Sequence, residues 1–81
     1  MTDENFNKII CNRIISLRKK QGITMEKLAY QSGISKGGLS EIERGMKEPR
    51  LYTIAKLCSV LNITLSDFFH DEELKIYIEK M

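Results

Sequence analysis

Residues 24–45 read TMEKLAYQSGISKGGLSEIERG, and the order of parts in this stretch decides the fold. Thr24 is a helix-capping hydroxyl, Leu28 and Ala29 are the apolar and small residues of a first helix, and Gly33 can adopt the left-handed conformation that a tight turn requires. Ser35 then caps a second short helix, on which Leu39 and Ile42 are spaced to point inward. Two short helices joined by a glycine turn make a helix-turn-helix. The remaining face of the second helix is left free to read another surface.

Working outward, the same start signal occurs three times: an apolar residue, a Ser or Thr, and an apolar residue four positions beyond the cap. The sets are Ile23-Thr24 with Leu28, Ile34-Ser35 with Leu39, and Ile63-Thr64 with Phe68. Each is an N-cap hydroxyl bracketed by a hydrophobic staple, which fixes the direction from which the chain runs into the helix. Upstream, Phe6, Ile10, Ile14 and Leu17 form one apolar stripe, so the first helix is expected from about Asn5 to Gln21, with Gly22 as its stop and Arg18, Lys19 and Lys20 in its last turn. Downstream, Leu51, Ile54, Leu57, Cys58 and Leu61 mark a fourth helix that begins after Pro49, the only proline, and ends near Asn62. Thr64 to Phe69 is a short fifth helix. In residues 71–81, DEELKIYIEKM, acidic residues come first and Leu74, Tyr77, Ile78 and Met81 share a face. This segment reads as a terminal amphipathic helix, too short to stand alone in water. It packs either back on its own domain or on a second copy, and Leu74, Tyr77, Ile78 and Met81 are the candidate dimer contacts. The expected fold class is all-α, with residues 1–70 as the domain and 71–81 as the added helix.

The chain has 81 residues and a formal net charge of +2, room for one small domain that gains stability by oligomerising. The charge is uneven. Residues 1–50 carry 10 Lys/Arg against 6 Asp/Glu, and residues 51–81 carry 3 against 5. The basic excess thus lies on the helix-turn-helix half, where phosphates would sit. No apolar run spans a bilayer and the opening MTDENFNK lacks the pattern of a secretory signal, so a cytoplasmic protein with no membrane partner is expected. Cys11 and Cys58 form no metal-ligand pattern with the single His70; both read as small core residues, a disulfide being the lesser alternative in that compartment. Asn62-Ile63-Thr64 matches a glycosylation sequon without the secretory context to use it. No metal, no cofactor and no small-molecule effector are expected. One histidine, no paired carboxylates in an apolar setting and no Gly-rich phosphate loop argue against an enzyme. His70, beside Asp71 and Glu72, reads as an exposed polar hinge.

Leu28, Ala29, Gly33, Ile34, Leu39, Ile42, Glu43 and Gly45, with Leu17 and Arg18 upstream, resemble the lambda-repressor/Cro-type family of bacterial and phage DNA-binding domains. The resemblance runs from about Ile10 to Phe69 and is closest in size and layout to small stand-alone regulators such as phage repressors and restriction-modification controller proteins. It implies a compact bundle of about five helices that binds double-stranded DNA as a homodimer, with recognition helices about 34 Å apart on a two-fold symmetric operator. A repressor acts when that site overlaps a promoter; an activator sits just upstream and offers a surface to RNA polymerase. The alternative is an antitoxin or other protein-interaction module whose DNA binding is auxiliary.

With Leu39 and Ile42 inward, the outward positions of the second helix are Lys36, Gly37, Ser40, Glu41 and Arg44. Lys36 can donate to guanine O6 or N7, Ser40 suits several bases, and Glu41 can accept from cytosine N4. The resemblance implies base contacts at Lys36, Gly37, Ser40 and Glu41, and phosphate contacts at Arg44 and the following loop; Lys47 and Arg50 would extend that grip, with Ser35 a further phosphate candidate. For Lys36 the plain alternative is a solvated surface lysine. For Glu41 two roles stay open: reading cytosine or orienting Arg44. Arg18 and Glu43 match a partly buried structural ion pair in related domains. Three positions depart from the family pattern. Met25 replaces a phosphate-binding glutamine, Arg50 replaces a small capping hydroxyl, and Gly37-Gly38 lies in the first turn of the recognition helix. The glycines either let the backbone approach DNA closely or are a tolerated weakness.

Overall fold

The computed structural model describes residues 3–81; Met1 and Thr2, which open the expected domain, lie outside it. Six helices follow one another: α1 Asp3–Lys20, α2 Met25–Ser32, α3 Lys36–Glu43, α4 Leu51–Leu61, α5 Leu65–Phe69 and α6 Glu72–Glu79. The five-helix bundle with an added terminal helix is therefore the observed architecture. The helix α1 starts two residues earlier and ends one residue earlier than its apolar stripe suggested.

All three starts carry working caps, and the preceding Ile23, Ile34 and Ile63 pack against the core. The hydroxyl of Thr24 accepts from the Lys27 amide, that of Ser35 from the Gly38 amide, and that of Thr64 from the Asp67 amide. At Thr64 the Asp67 carboxylate also accepts from the Thr64 amide, closing a capping box with Asp in the usual place of Glu. Between α2 and α3, Gly33 takes φ +73°, and the Ile34 amide reaches back to the Ala29 carbonyl at 3.0 Å. That bond requires the left-handed turn, which a side chain would strain. Asn62 does the same service after α4 at φ 58°.

One core joins every helix. Ile10, Cys11, Ile14 and Leu17 of α1 meet Leu28 and Ala29 of α2, Leu39 and Ile42 of α3, Ile54, Leu57, Cys58 and Leu61 of α4, Phe68 of α5 and Leu74 of α6. Both cysteines are free and buried, and burial pushes both thiols up from their ordinary value. The polar side of α1 and the residue just past its end secure the ends of its neighbours. Arg13 donates to the carbonyls of Phe68, Asp67 and His70 at the end of α5, and Gln21 donates to the Leu61 carbonyl at the end of α4. These are the orphan carbonyls of two helix C-termini, satisfied by side chains 40 to 57 positions away in sequence. Among the described residues no buried side-chain nitrogen or oxygen lacks a partner, and no helix is long and apolar enough to cross a membrane.

The helix α6 turns back onto α1. Asp71 caps it by accepting from the Leu74 amide, Leu74 is buried, and the Tyr77 ring lies 5.6 Å from that of Phe6. Leu74 is therefore buried within its own domain. Ile78 and Met81, placed with it on one stripe, remain exposed along with Ile76. The reason is angular: an α-helix packed on a single neighbour buries a narrow strip, and Leu74 with Tyr77 fills it.

Candidate nucleic-acid interface

The helix α3 is held by its inner side alone. Leu39 is fully buried and Ile42 nearly so, whereas Lys36, Gly37, Glu41 and Arg44 are exposed and Ser40 is half-buried. One face is thus committed to the core and the opposite one carries a donor, a bare backbone, a hydroxyl, an acceptor and a second cation. The C-terminal end of α3 is fixed by a two-pronged ion pair. Arg18 Nε and Nη2 meet the two Glu43 carboxylate oxygens at 2.8 and 3.0 Å, while Nη1 donates to the Ile23 carbonyl at 2.9 Å. A single guanidinium therefore ties α1, the turn before α2 and the end of α3. Both side chains keep little exposure, 13% and 10%, so each charge depends on the other to offset its lost hydration.

The double glycine of α3 divides into two different cases. A Cβ built on Gly38 would stand 2.8 Å from the Ser35 hydroxyl that caps the helix, whereas one built on Gly37 would meet nothing within 4 Å. Gly38 thus belongs to the cap, and Gly37 presents bare backbone at the exposed surface.

The exposed cations are not randomly placed. A cleft of about 340 Å3 between the start of α3 and the start of α4 is lined by Ser35, Gly38, Lys47, Arg50, Thr53 and Lys56, among others. Arg50 occupies the N-cap position of α4, where a donor-only guanidinium cannot accept from the helix amides, so its charge is available to another partner. Thr53 and Lys56 had not been singled out from the sequence. The signal was present, since Arg50, Thr53 and Lys56 follow one another at three-residue spacing on one side of a helix. Lys56 also sits 5.3 Å from the centre of the exposed Tyr52 ring. One further partner was beyond sequence spacing, and another lies one helical turn away. Lys36 Nζ lies 3.5 Å from Glu26 Oε2 across the turn, and Arg44 Nε donates to the Ser40 carbonyl at 3.4 Å rather than meeting Glu41. Among the described residues Glu41 forms no ion pair, and no group of His, Cys, Asp and Glu stands ready to hold a metal ion.

Comparison with known proteins agrees with this geometry. The model of the helix-turn-helix family matches residues 14–68, the span from the middle of α1 through α5. The chain is 40% identical over 67 residues to the HTH-type transcriptional regulator SlrR of Bacillus subtilis, covering 80% of this chain and 43% of that protein. Among solved structures, an HTH_3 family transcriptional regulator from Vibrio cholerae aligns with a TM-score of 0.80 at 37% identity, over 88% of this chain and 40% of the other. The restriction-modification controller protein C.AhdI from Aeromonas hydrophila aligns with a TM-score of 0.73 at 30% identity, over 78% of this chain and 96% of its own. The chain spans a third to a half of the length of the first curated relatives it matches. On the matched residues, the capped turn and the exposed second helix, this chain belongs to the helix-turn-helix family of transcriptional regulators.

Proposed function

We propose that this protein is a cytoplasmic, sequence-specific DNA-binding transcriptional regulator, a homodimer on a two-fold symmetric operator, of the phage-repressor or restriction-modification-controller kind. The observation that carries the reading is the two-sided character of α3, apolar and buried within, polar and exposed without, beside a cleft lined by cations. With α3 in the major groove, Lys36, Gly37, Ser40 and Glu41 meet base edges, while Ser35, Arg44, Lys47 and Arg50 hold phosphates that fix the register. Lys56 extends that grip. Regulation then follows from protein concentration and dimerisation, and RNA polymerase is the partner if the bound dimer activates.

Selection of bound duplexes from a randomised pool, followed by a salt titration, tests it. An enriched palindrome with half-sites about one helical turn apart, bound with an affinity that falls steeply with salt, is the expected result. Absence of enrichment at low salt overturns the reading.

A second reading, a protein-interaction module of the antitoxin kind, draws support from the apolar surface that Ile76, Ile78 and Met81 leave exposed on α6. The combined variant Ile76→Ser, Ile78→Ser and Met81→Ser, which keeps the buried Leu74 in place, separates the two. Loss of dimerisation with loss of operator binding supports the regulator, and an intact DNA-binding dimer that no longer retains a protein partner supports the module.

A further inference from the structure

We infer that Glu26 is a positioning residue for DNA recognition, holding the Lys36 ammonium over the base edges and away from the phosphates. The inference rests on the reading that α3 lies in the major groove. Glu26 is the second residue of α2 and Lys36 the first of α3, so their 3.5 Å contact bridges the turn at the end of α3 that meets bases. Both side chains are well exposed, 59% and 66%, and an exposed pair of this kind adds little to folding stability. Its effect lies in where it places a charge.

Three facts converge on that effect. A lysine ammonium has three donors, and Glu26 engages one, leaving two for the two acceptors of guanine, O6 and N7. A free lysine at this site would otherwise be a mobile point charge drawn to the nearest phosphate, which carries no sequence information. The first helix of the motif crosses the DNA backbone, and a lone carboxylate in its first turn would repel phosphates. Coupled to Lys36 it is tolerated, and it removes one cation from the nonspecific grip. Met25, the preceding residue, is apolar and half-buried against the core, so it supplies no polar side chain there. The Glu26 carboxyl is held below its ordinary value by its own backbone N–H and then by Lys36, so it remains charged at neutral pH.

The test uses the whole chain, with Glu26→Gln, Lys36→Ala and the double variant, each titrated against the selected operator duplex and a scrambled duplex at several salt concentrations. Glu26→Gln is expected to tighten scrambled-duplex binding, to steepen its logarithmic salt dependence by about one phosphate contact, and to lower the specificity ratio about tenfold, with the melting temperature unchanged. In the Lys36→Ala background the same change is expected to leave the ratio where it is. If Lys36→Ala lowers the ratio but Glu26→Gln does not, or if Glu26→Gln acts equally in both backgrounds, positioning is overturned while recognition by α3 stands. If Lys36→Ala itself leaves the ratio intact, the base-reading role of Lys36 fails and the proposal fails with it.

Discussion

The pair α2–α3 and the pair α5–α6 are built alike and end up doing different things. In each, two short helices meet at a tight connection, and the second is eight residues long and opened by a side-chain cap. Eight residues are too few to hold a helix by backbone bonding alone, so tertiary anchors decide what each one becomes. The helix α3 has two buried anchors, Leu39 and Ile42, and the Arg18–Glu43 pair at its end. The helix α6 has Leu74, the Tyr77–Phe6 ring contact and the nearby clasp of Arg13 on the α5 carbonyls. Where anchoring is complete the outward face is polar and fit to meet a charged duplex; where it is partial the outward face is still apolar. The contrast separates a reading head held by three anchors from an arm with a single fully buried one.

The contrast breaks most visibly at Glu43. Glu43→Ala is expected to lower unfolding free energy by about 3 to 5 kcal/mol, because it strands the Arg18 guanidinium in a site with little water. Denaturant unfolding beside operator affinity distinguishes this loss from a lost DNA contact, and unchanged melting would sink the buried-pair account. A smaller loss, about 2 to 3 kcal/mol, is expected for Leu74→Ala, the one fully engaged anchor of α6. If that variant melts like the parent protein, α6 is not moored and the comparison fails on its weaker side.

The glycines sharpen the picture at finer scale. Gly37→Ala gains up to about 1 kcal/mol of helix propensity in open space, whereas Gly38→Ala gains the same and sets it against a cap worth about 1 kcal/mol that its Cβ displaces. Thermal melting should therefore rise for the first and stay nearly level for the second, and specific binding should weaken for Gly37→Ala if bare backbone approaches DNA. Improved melting together with improved binding would mark Gly37 as a tolerated weakness. The smallest effect is in acid. The Asp67 carboxyl is held below its usual 3.8, chiefly by the Thr64 amide and then by the Thr64 hydroxyl. A carboxyl lowered on folding stabilises above its unfolded pKa, and that stabilisation is lost as pH falls through the folded value. Asp67→Asn should thus melt below the parent at neutral pH and converge with it as pH falls below 3.8 and through the folded value; a constant gap would contradict the capping box.

How much of this was legible beforehand follows from the range of each interaction. Caps, staples and the Gly33 turn act within about five residues, so Thr24, Ser35 and Thr64 announce them directly. The inward Leu39 and Ile42, and with them the outward set of α3, follow from helical periodicity. The Arg18–Glu43 pair came from resemblance rather than spacing. Arg13 on the α5 carbonyls is invisible to periodicity because its partners lie more than fifty residues away. Glu26 beside Lys36 depends on the angle between two helices, and the division of α6 between buried Leu74 and exposed Ile78 and Met81 depends on how α6 is turned against α1.

The arrangement of Arg13 and Arg18 along α1, with Gln21 just past its end, has a consequence for how such a chain can vary. These three side chains satisfy carbonyls belonging to α5, the turn before α2, and α4 respectively. One residue inserted between Arg13 and Arg18 would rotate one set against the other by about 100° and unhook them together. The helix α1 therefore behaves as a ruler whose graduations must not slip. A change of length should cost least in the connection between α3 and α4, which carries none of these three side-chain bonds, while the letters on the outer face of α3 can be exchanged without touching the scale.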